Sequence, residues 1–374
     1  MLILAAVLAI FVYGMIAAML GTILPDFSKR YSLTPKQNGN IAMCQAIGLM
    51  IGSFFVGPLM DVEGKKIGLL LGLGLIVVAL FGLRQATGFG SIAGMMLVLG
   101  IGGGSIVTAA NTLPPYIQMS ALSTAGVYNL LNLFFGLGGL VTPLVAARLF
   151  RNESNRLLVF AGSLAALTFI DHAITEMPGA TGQVSFQGSA VADLMAQPAL
   201  LALSLMLFLY VAAEVGVWNW LARHLVAQGL PESRALTILS LGFALGLLLG
   251  RVAVSPFLGQ ISPERALMGA AVLMTITTFL MLQSANPTTA WLAVFLAGIA
   301  MAPVFPTTLA IVNAKFPTMA ATATGIAVTA GWLGLVVSSP IIGSIAGDDP
   351  RKLKTALLVL PVFSAVMFLV SFAL

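Results

Sequence analysis

Glu214 is the residue whose surroundings point most directly to chemistry. It falls inside the apolar run 199–225, with Tyr210 four residues before it and Trp218 four residues after. At helical spacing the three share one face. A lone ionised carboxylate at the depth of a hydrocarbon layer is expensive, so it is protonated, paired or set in a wet cavity, and by default it marks a functional site. The competing reading is a tether to a polar neighbour such as Asn219 or a backbone amide. Other apolar runs carry Gln45, Asn111, Asn129, Asn132, Thr307 and Thr308, together with the rings of Tyr13 and Trp332. Such side chains set paired donors and acceptors beside flat apolar faces. Any one such side chain is more often glue between helices than a ligand contact. Gln45 and Asn132 are the two expected to make a ligand contact, and Asn111 is read as structural or mixed.

The machinery of an enzyme is scarce. The chain has two histidines, one cysteine and 12 carboxylates. No Ser/His or His/Glu pairing falls within the apolar runs, and no H-E-x-x-H helix occurs. No catalytic residue, cofactor or metal site is therefore assigned. Cys44 stands alone, so no intrachain disulfide or C-x-x-C site can form.

These side chains sit in an unusual background. Of 374 residues 59% are apolar and 8% charged, against about 25% charged in soluble domains. A water-soluble protein of this length could not hide so much apolar surface. The net charge is +5, but the basic residues are scattered singly or in pairs, with no aromatic-interleaved cluster to follow a nucleic-acid backbone. About twelve runs are long enough to cross roughly 30 Å of hydrocarbon. The first six are 2–25, 38–60, 67–85, 91–117, 125–149 and 157–174. The second six are 199–225, 234–254, 266–282, 288–312, 321–345 and 355–373. The opening run has no basic segment ahead of it and reads as a retained span.

Continuous runs of this length predict helices and exclude the alternating segments of a barrel. Thirty-nine glycines allow close helix contacts, with Gly100, Gly102, Gly103 and Gly104 forming one such surface. Pro114, Pro115, Pro143, Pro303, Pro306 and Pro340 imply kinks or loosened turns. The polar stretch 175–197, rich in Gly, Ser and Gln, reads as a mobile linker. The expected organisation is all-α and membrane-integral, with a six-helix half at 1–174, the linker at 175–197 and a second half at 198–374.

Between the second and third runs the chain reads Gly57-Pro-Leu-Met-Asp61-Val-Glu-Gly64-Lys65-Lys66. This resembles the G-x-x-x-D-x-x-G-[RK]-[RK] loop of the major facilitator superfamily at every defined position. Physically, Gly64 permits a tight turn, Asp61 can accept from exposed helix-end amides, and Lys65 and Lys66 can meet anionic headgroups. The resemblance implies two six-helix halves, alternating access and a gating role for Asp61, Gly64 and Lys65. It also implies a cytoplasmic loop and both termini inside. That topology leaves Lys65, Lys66, Arg251, Arg265 and Lys315 inside and the other twelve basic residues outside, the reverse of the usual bias.

Further stretches resemble the fucose/glucose–galactose proton-symporter branch. They are Leu24-Pro25-Asp26-Phe27, Leu33-Thr34-x-x-Gln37-x-Gly39, Thr108-Ala109-Ala110-Asn111, Phe134-Phe135-Gly136-Leu137-Gly138-Gly139, Tyr210-Val-Ala-Ala-Glu214 and Phe305-Pro306-Thr307. They imply a monosaccharide or similar polyol bound by Gln45, Asn132, Tyr210, Glu214, Trp218 and Trp332. They also imply a monomer in a lipid bilayer, of the bacterial inner membrane. Arg251 matches a basic position of the branch and is read as a latch between halves or an interfacial anchor. The branch places carboxylates on spans one and four where this chain has Gly21 and Val107, neither able to hold a proton. Three readings stay open: Glu214 takes the proton, sodium replaces it, or the protein is a facilitator. Efflux of drugs or lipophilic metabolites is an alternative function, and a non-transporting membrane sensor a second. Asp171 and His172, beside polar Thr175 and Glu176, are expected at headgroup level.

Overall fold

The computed structural model describes residues 2–151, 153–180, 188–284, 286–347 and 352–374. Among them every regular element is helical. Six helices precede the polar stretch: α1 Leu2–Arg30, α2 Pro35–Glu63, α3 Lys65–Arg84, α4 Phe89–Ala110, α5 Thr124–Arg148 and α6 Ser154–Ile174. A short helix follows, α7 Gly188–Met195. Then come α8 Pro198–Ala227, α9 Glu232–Ile238, α10 Leu245–Val254, α11 Pro263–Gln283, α12 Pro287–Met301, α13 Val304–Lys315, α14 Ala320–Ala346, α15 Leu353–Leu357 and α16 Val359–Val370. Counting broken helices as one, twelve segments of the described residues are long and apolar enough to cross a membrane.

The helices α2 and α11 each begin about a turn ahead of their apolar runs because their starts are capped. Thr34 and Gln37 form a reciprocal capping box ahead of α2, and Pro35 sits in its first turn. Ser262 accepts the Arg265 amide at the start of α11, and Asn286 accepts the Thr288 amide at the start of α12. Prolines divide by position. Pro143 and Pro340 are carried inside α5 and α14, Pro114 opens a 3-10 turn, and Pro303 lies in the break between α12 and α13. A wide π turn, Leu239–Ala244, joins α9 to α10 and shifts the facing of the residues after it, Arg251 among them. Within 175–197, residues 181–187 lie outside the described residues. The rest departs from the expected linker, since α7 forms there and buries Leu194.

The chain gathers into two compact units. Unit 1 holds 1–118, 131–195 and 313–329; unit 2 holds 119–130, 196–312 and 330–374. In unit 1, α2 and α3 pack on α4, and α3 on α6. In unit 2, α11 packs on α12 and α16, α8 on α16, and α10 on α12.

The α2–α4 contact depends on glycine. A Cβ at Gly52 would overlap the backbone of Ile101, and one at Gly104 would overlap that of Leu49 and Ser53. In lipid, where apolar side chains gain little by leaving the solvent, such backbone proximity supplies the attraction. Gly102, by contrast, turns toward α3. Gly52→Ala or Gly104→Ala should therefore lower stability by about 1–3 kcal/mol. Gly94→Ala, whose Cβ would meet nothing within 4 Å, should leave it unchanged or raise it. Thermal unfolding of the three variants in detergent decides this, and equal melting temperatures would refute the packing argument.

Candidate functional site

In unit 1 Asp61, on the last turn of α2, closes the start of α14. Its Oδ1 accepts the Ala321 amide at 3.1 Å, and its Oδ2 accepts the Thr322 amide at 2.8 Å and the Thr322 hydroxyl at 2.6 Å. The first amides of a helix have no partner within it, and the helix dipole favours an anion there. Asp61 is 4% exposed, so these bonds form out of water. Gly57, one turn earlier, lies against Ala321 and Thr322 where a Cβ would collide with backbone. Gly64 has φ +91°, a conformation that favours glycine, and its amide closes α2 on the Met60 carbonyl.

Lys65 corrects the headgroup expectation. It is 1% exposed, its charge faces Asp61, its Nζ reaches the Gly179 carbonyl at 3.5 Å, and it lies 5.2 Å from the Tyr116 ring centre. Lys66 donates to the Ala173 carbonyl at 2.6 Å. The turn folds both lysines back over the bundle, where carbonyls take the place of phosphate. His172 is likewise buried, contrary to the headgroup reading. Its Nδ1 lies 2.8 Å from the Thr168 carbonyl, and its ring faces the Ala5 backbone of α1. The apolar start of α1 covers the imidazole.

A chain of amides runs through unit 1. Asn132 on α5 donates to Asn111 Oδ1 at 3.2 Å, Asn111 donates to the Val107 carbonyl at 2.8 Å, and Asn313 donates to Thr324 Oγ1 at 3.0 Å. Asn132 is 4% exposed, and its amide is engaged with Asn111. Gln45 on α2 is also buried, yet no hydrogen bond to its amide is found among the described residues. Unit 2 has a smaller counterpart, in which Asn129 donates to Thr307 Oγ1 at 3.1 Å.

The face expected on span seven is present in unit 2. Tyr210 is buried, Glu214 half-buried and Trp218 exposed, so accessibility opens along α8. The Tyr210 hydroxyl has no hydrogen bond of ordinary geometry; the polar groups it faces are the Glu214 carboxylate and the Arg251 guanidinium. Arg251, on the last turn of α10, is 4% exposed. No ion pair to Glu214 occurs within 4 Å among the described residues. Asn219 is not its tether, because that amide donates to Ser339 at 2.9 Å. Trp218 meets Phe243 edge-on at 5.3 Å. Trp332 is buried on α14.

Thr322, Asn313 and Thr324 were not singled out in the sequence, although each completes one of these arrangements. A signal existed for Thr322. Pro317 opens a new helical segment, and a helix start requires an acceptor. Nothing in the one-dimensional pattern pairs that acceptor with Asp61.

Removing the Asp61 carboxylate should expose these amides. Asp61→Ala is expected to speed hydrogen exchange over 320–324 roughly ten- to a hundredfold, the equivalent of about 1.5–3 kcal/mol per charged hydrogen bond. Asp61→Asn, which keeps one acceptor, should fall between. Unchanged exchange in both would show that the cap contributes nothing.

Comparison with known proteins places this arrangement. The chain aligns with a curated TsgA homolog from Erwinia tasmaniensis, at 20% identity over 359 residues, covering 95% of this chain and 90% of that protein. Its fold matches FucP solved in the outward conformation with a TM-score of 0.85 at 18% identity, covering 100% of this chain and 98% of the other. The proton:xylose symporter XylE matches with a TM-score of 0.80 at 14% identity, covering 98% and 94%. The family model of the Major Facilitator Superfamily matches residues 6–339. With twelve apolar helices and that match across most of its length, the chain is a multi-pass membrane protein belonging to the Major Facilitator Superfamily.

Proposed function

We propose that this protein carries a small hydroxyl-rich solute, a monosaccharide, across the membrane by alternating access. The observation that carries this reading is the α8 face: a half-buried carboxylate with no ion pair among the described residues, between a buried phenol and an exposed indole. A carboxylate accepts from sugar hydroxyls, an indole covers the C–H face of a pyranose, and a buried amide such as Gln45 offers donor and acceptor together. The fold likeness to a fucose:proton symporter and a xylose symporter supports the same solute class. Within unit 1, Asn132 acts through Asn111; within unit 2, Trp332 adds a buried ring on α14.

The moving parts are two six-helix halves, 1–174 and 198–374, joined by 175–197, in a bacterial inner membrane with both termini cytoplasmic. Asp61, Gly64 and Lys65 form the gate at the cytoplasmic end. The Asp61 contact with α14 is made in the state closed to the cytoplasm and released when that end opens. The protein acts as a monomer.

Uptake of labelled D-glucose, D-galactose and L-fucose into proteoliposomes tests this directly. At least one should enter saturably, with Gln45→Ala raising the half-saturating concentration roughly five- to tenfold, the value of about one hydrogen bond. If no hexose enters vesicles holding folded protein while lipophilic cations are expelled, the sugar reading fails.

A further inference from the structure

The helix ends of unit 1 differ in charge. At the end where α1, α3 and α5 finish and α2, α4 and α6 begin, the segments 26–36, 84–89 and 148–156 hold seven basic residues and two acids. Both acids are already taken. Asp26 pairs with Arg30 at 3.0 Å, and Glu153 pairs with Arg156 at 2.7 Å. At the end that holds Asp61, by contrast, Lys65 and Lys66 are folded onto carbonyls. The basic surplus at the first end plays no part in the solute site proposed above.

A cavity of about 370 Å³ opens there, between the last turn of α3 and the first two turns of α6. It is lined by Arg84, Phe150, Asn155, Arg156, Val159 and Phe160. Arg84 is exposed, and its guanidinium makes no hydrogen bond or ion pair among the described residues. The Arg156 contact with Glu153 uses Nε, so the outer N–H groups of that guanidinium remain for a ligand. Asn155 accepts from Arg30 on its Oδ1 at 3.3 Å, which leaves its Nδ2 hydrogens as donors.

Polarity is layered along α6. Val159 and Phe160 follow Asn155 and Arg156 by four residues, so they lie on the same face roughly 6 Å further along the helix. Phe150 meets Phe160 at 5.8 Å between ring centres. The cavity therefore has a cationic, donor-rich rim and an apolar floor one turn deeper. A soluble anion would use the rim alone, and a hydrocarbon chain the floor alone. A molecule with an anion and a chain in that order, from the helix end inward, is a phospholipid. A zwitterionic headgroup also brings an ammonium, and the acids of this end are already paired with arginines, so a net negative headgroup fits best.

We propose that this cavity binds a phospholipid of net negative headgroup. Its phosphate takes donors from Arg84, Arg156 and Asn155, and the upper part of one acyl chain covers Phe150, Val159 and Phe160. Two guanidinium groups on one phosphodiester, at the boundary of water and hydrocarbon, hold it more tightly than a diffuse surface charge does. The bound lipid ties the end of α3 to the start of α6, two helices that pack on each other. The site is independent of what the protein carries.

The full chain carrying Phe160→Trp supplies the probe, because the four tryptophans of the sequence all belong to unit 2. It is placed in phosphatidylcholine vesicles with increasing phosphatidylglycerol, brominated near the top of its acyl chains. The added emission should be quenched saturably at a small fraction of the lipid. Arg84→Gln and Arg156→Gln should each raise the half-quenching fraction about fivefold, and Arg84→Lys should recover most of that loss. Lys29→Gln combined with Lys36→Gln removes two charges from the same end outside the cavity and should change nothing. Equal quenching by brominated phosphatidylcholine, or an equal loss in the lysine pair, overturns the site and leaves only a diffuse field. Relief of the quenching by millimolar inorganic phosphate would show that the rim prefers a soluble anion, and overturns the lipid.

Discussion

A polar group inside a bilayer cannot turn to water, so each amide, hydroxyl and charge there must be answered by protein or by what passes through. Helices answer the backbone internally, which is why twelve long segments account for almost all the regular structure. The side chains then divide into two groups. Asn111, Asn132, Asn313 and Thr324 are linked by hydrogen bonds between the end of α4, α5, α13 and α14. Gln45 and Glu214 are buried or half-buried, and no such bond to their side chains is found among the described residues. The second group is where the proposed solute would find its partners.

The same constraint shapes the packing that positions them. Glycine at 48, 52, 100 and 104 brings the α2 and α4 backbones together. Gln45 is carried on α2 and the Asn111 cluster at the end of α4, so both are set on a rigid pair. At the far end of α2, one carboxylate holds two helix-start amides and a hydroxyl. This contact is strong because it is buried and charge-assisted, and it can still break as a unit, because its partners all belong to the first turn of one helix.

Much of this was legible in the sequence because membrane helices announce themselves by length and apolarity. The spans, the turn at Gly64 and the face through Tyr210, Glu214 and Trp218 all follow from local spacing. What local spacing could not show was direction. Lys65 and Lys66 read as headgroup anchors, yet the turn folds them onto the carbonyls of Gly179 and Ala173. His172 has polar neighbours in sequence but an apolar helix over it in space. Arg251 read as a residue of a span end and does lie on the last turn of α10, but that its guanidinium faces Tyr210 was not readable from spacing. Thr322 was invisible because its partner lies 261 residues away. In each case the missing information is tertiary.

The central claim is that a hydroxyl-rich solute binds where Glu214 and Trp218 meet it. Tryptophan fluorescence of the purified protein, titrated with hexoses, reads that contact without requiring transport. A saturable change with one hexose, abolished in Trp218→Phe and weakened in Glu214→Gln, is the expected result. A flat titration with every hexose, from protein whose fluorescence responds to lipophilic cations, would contradict it.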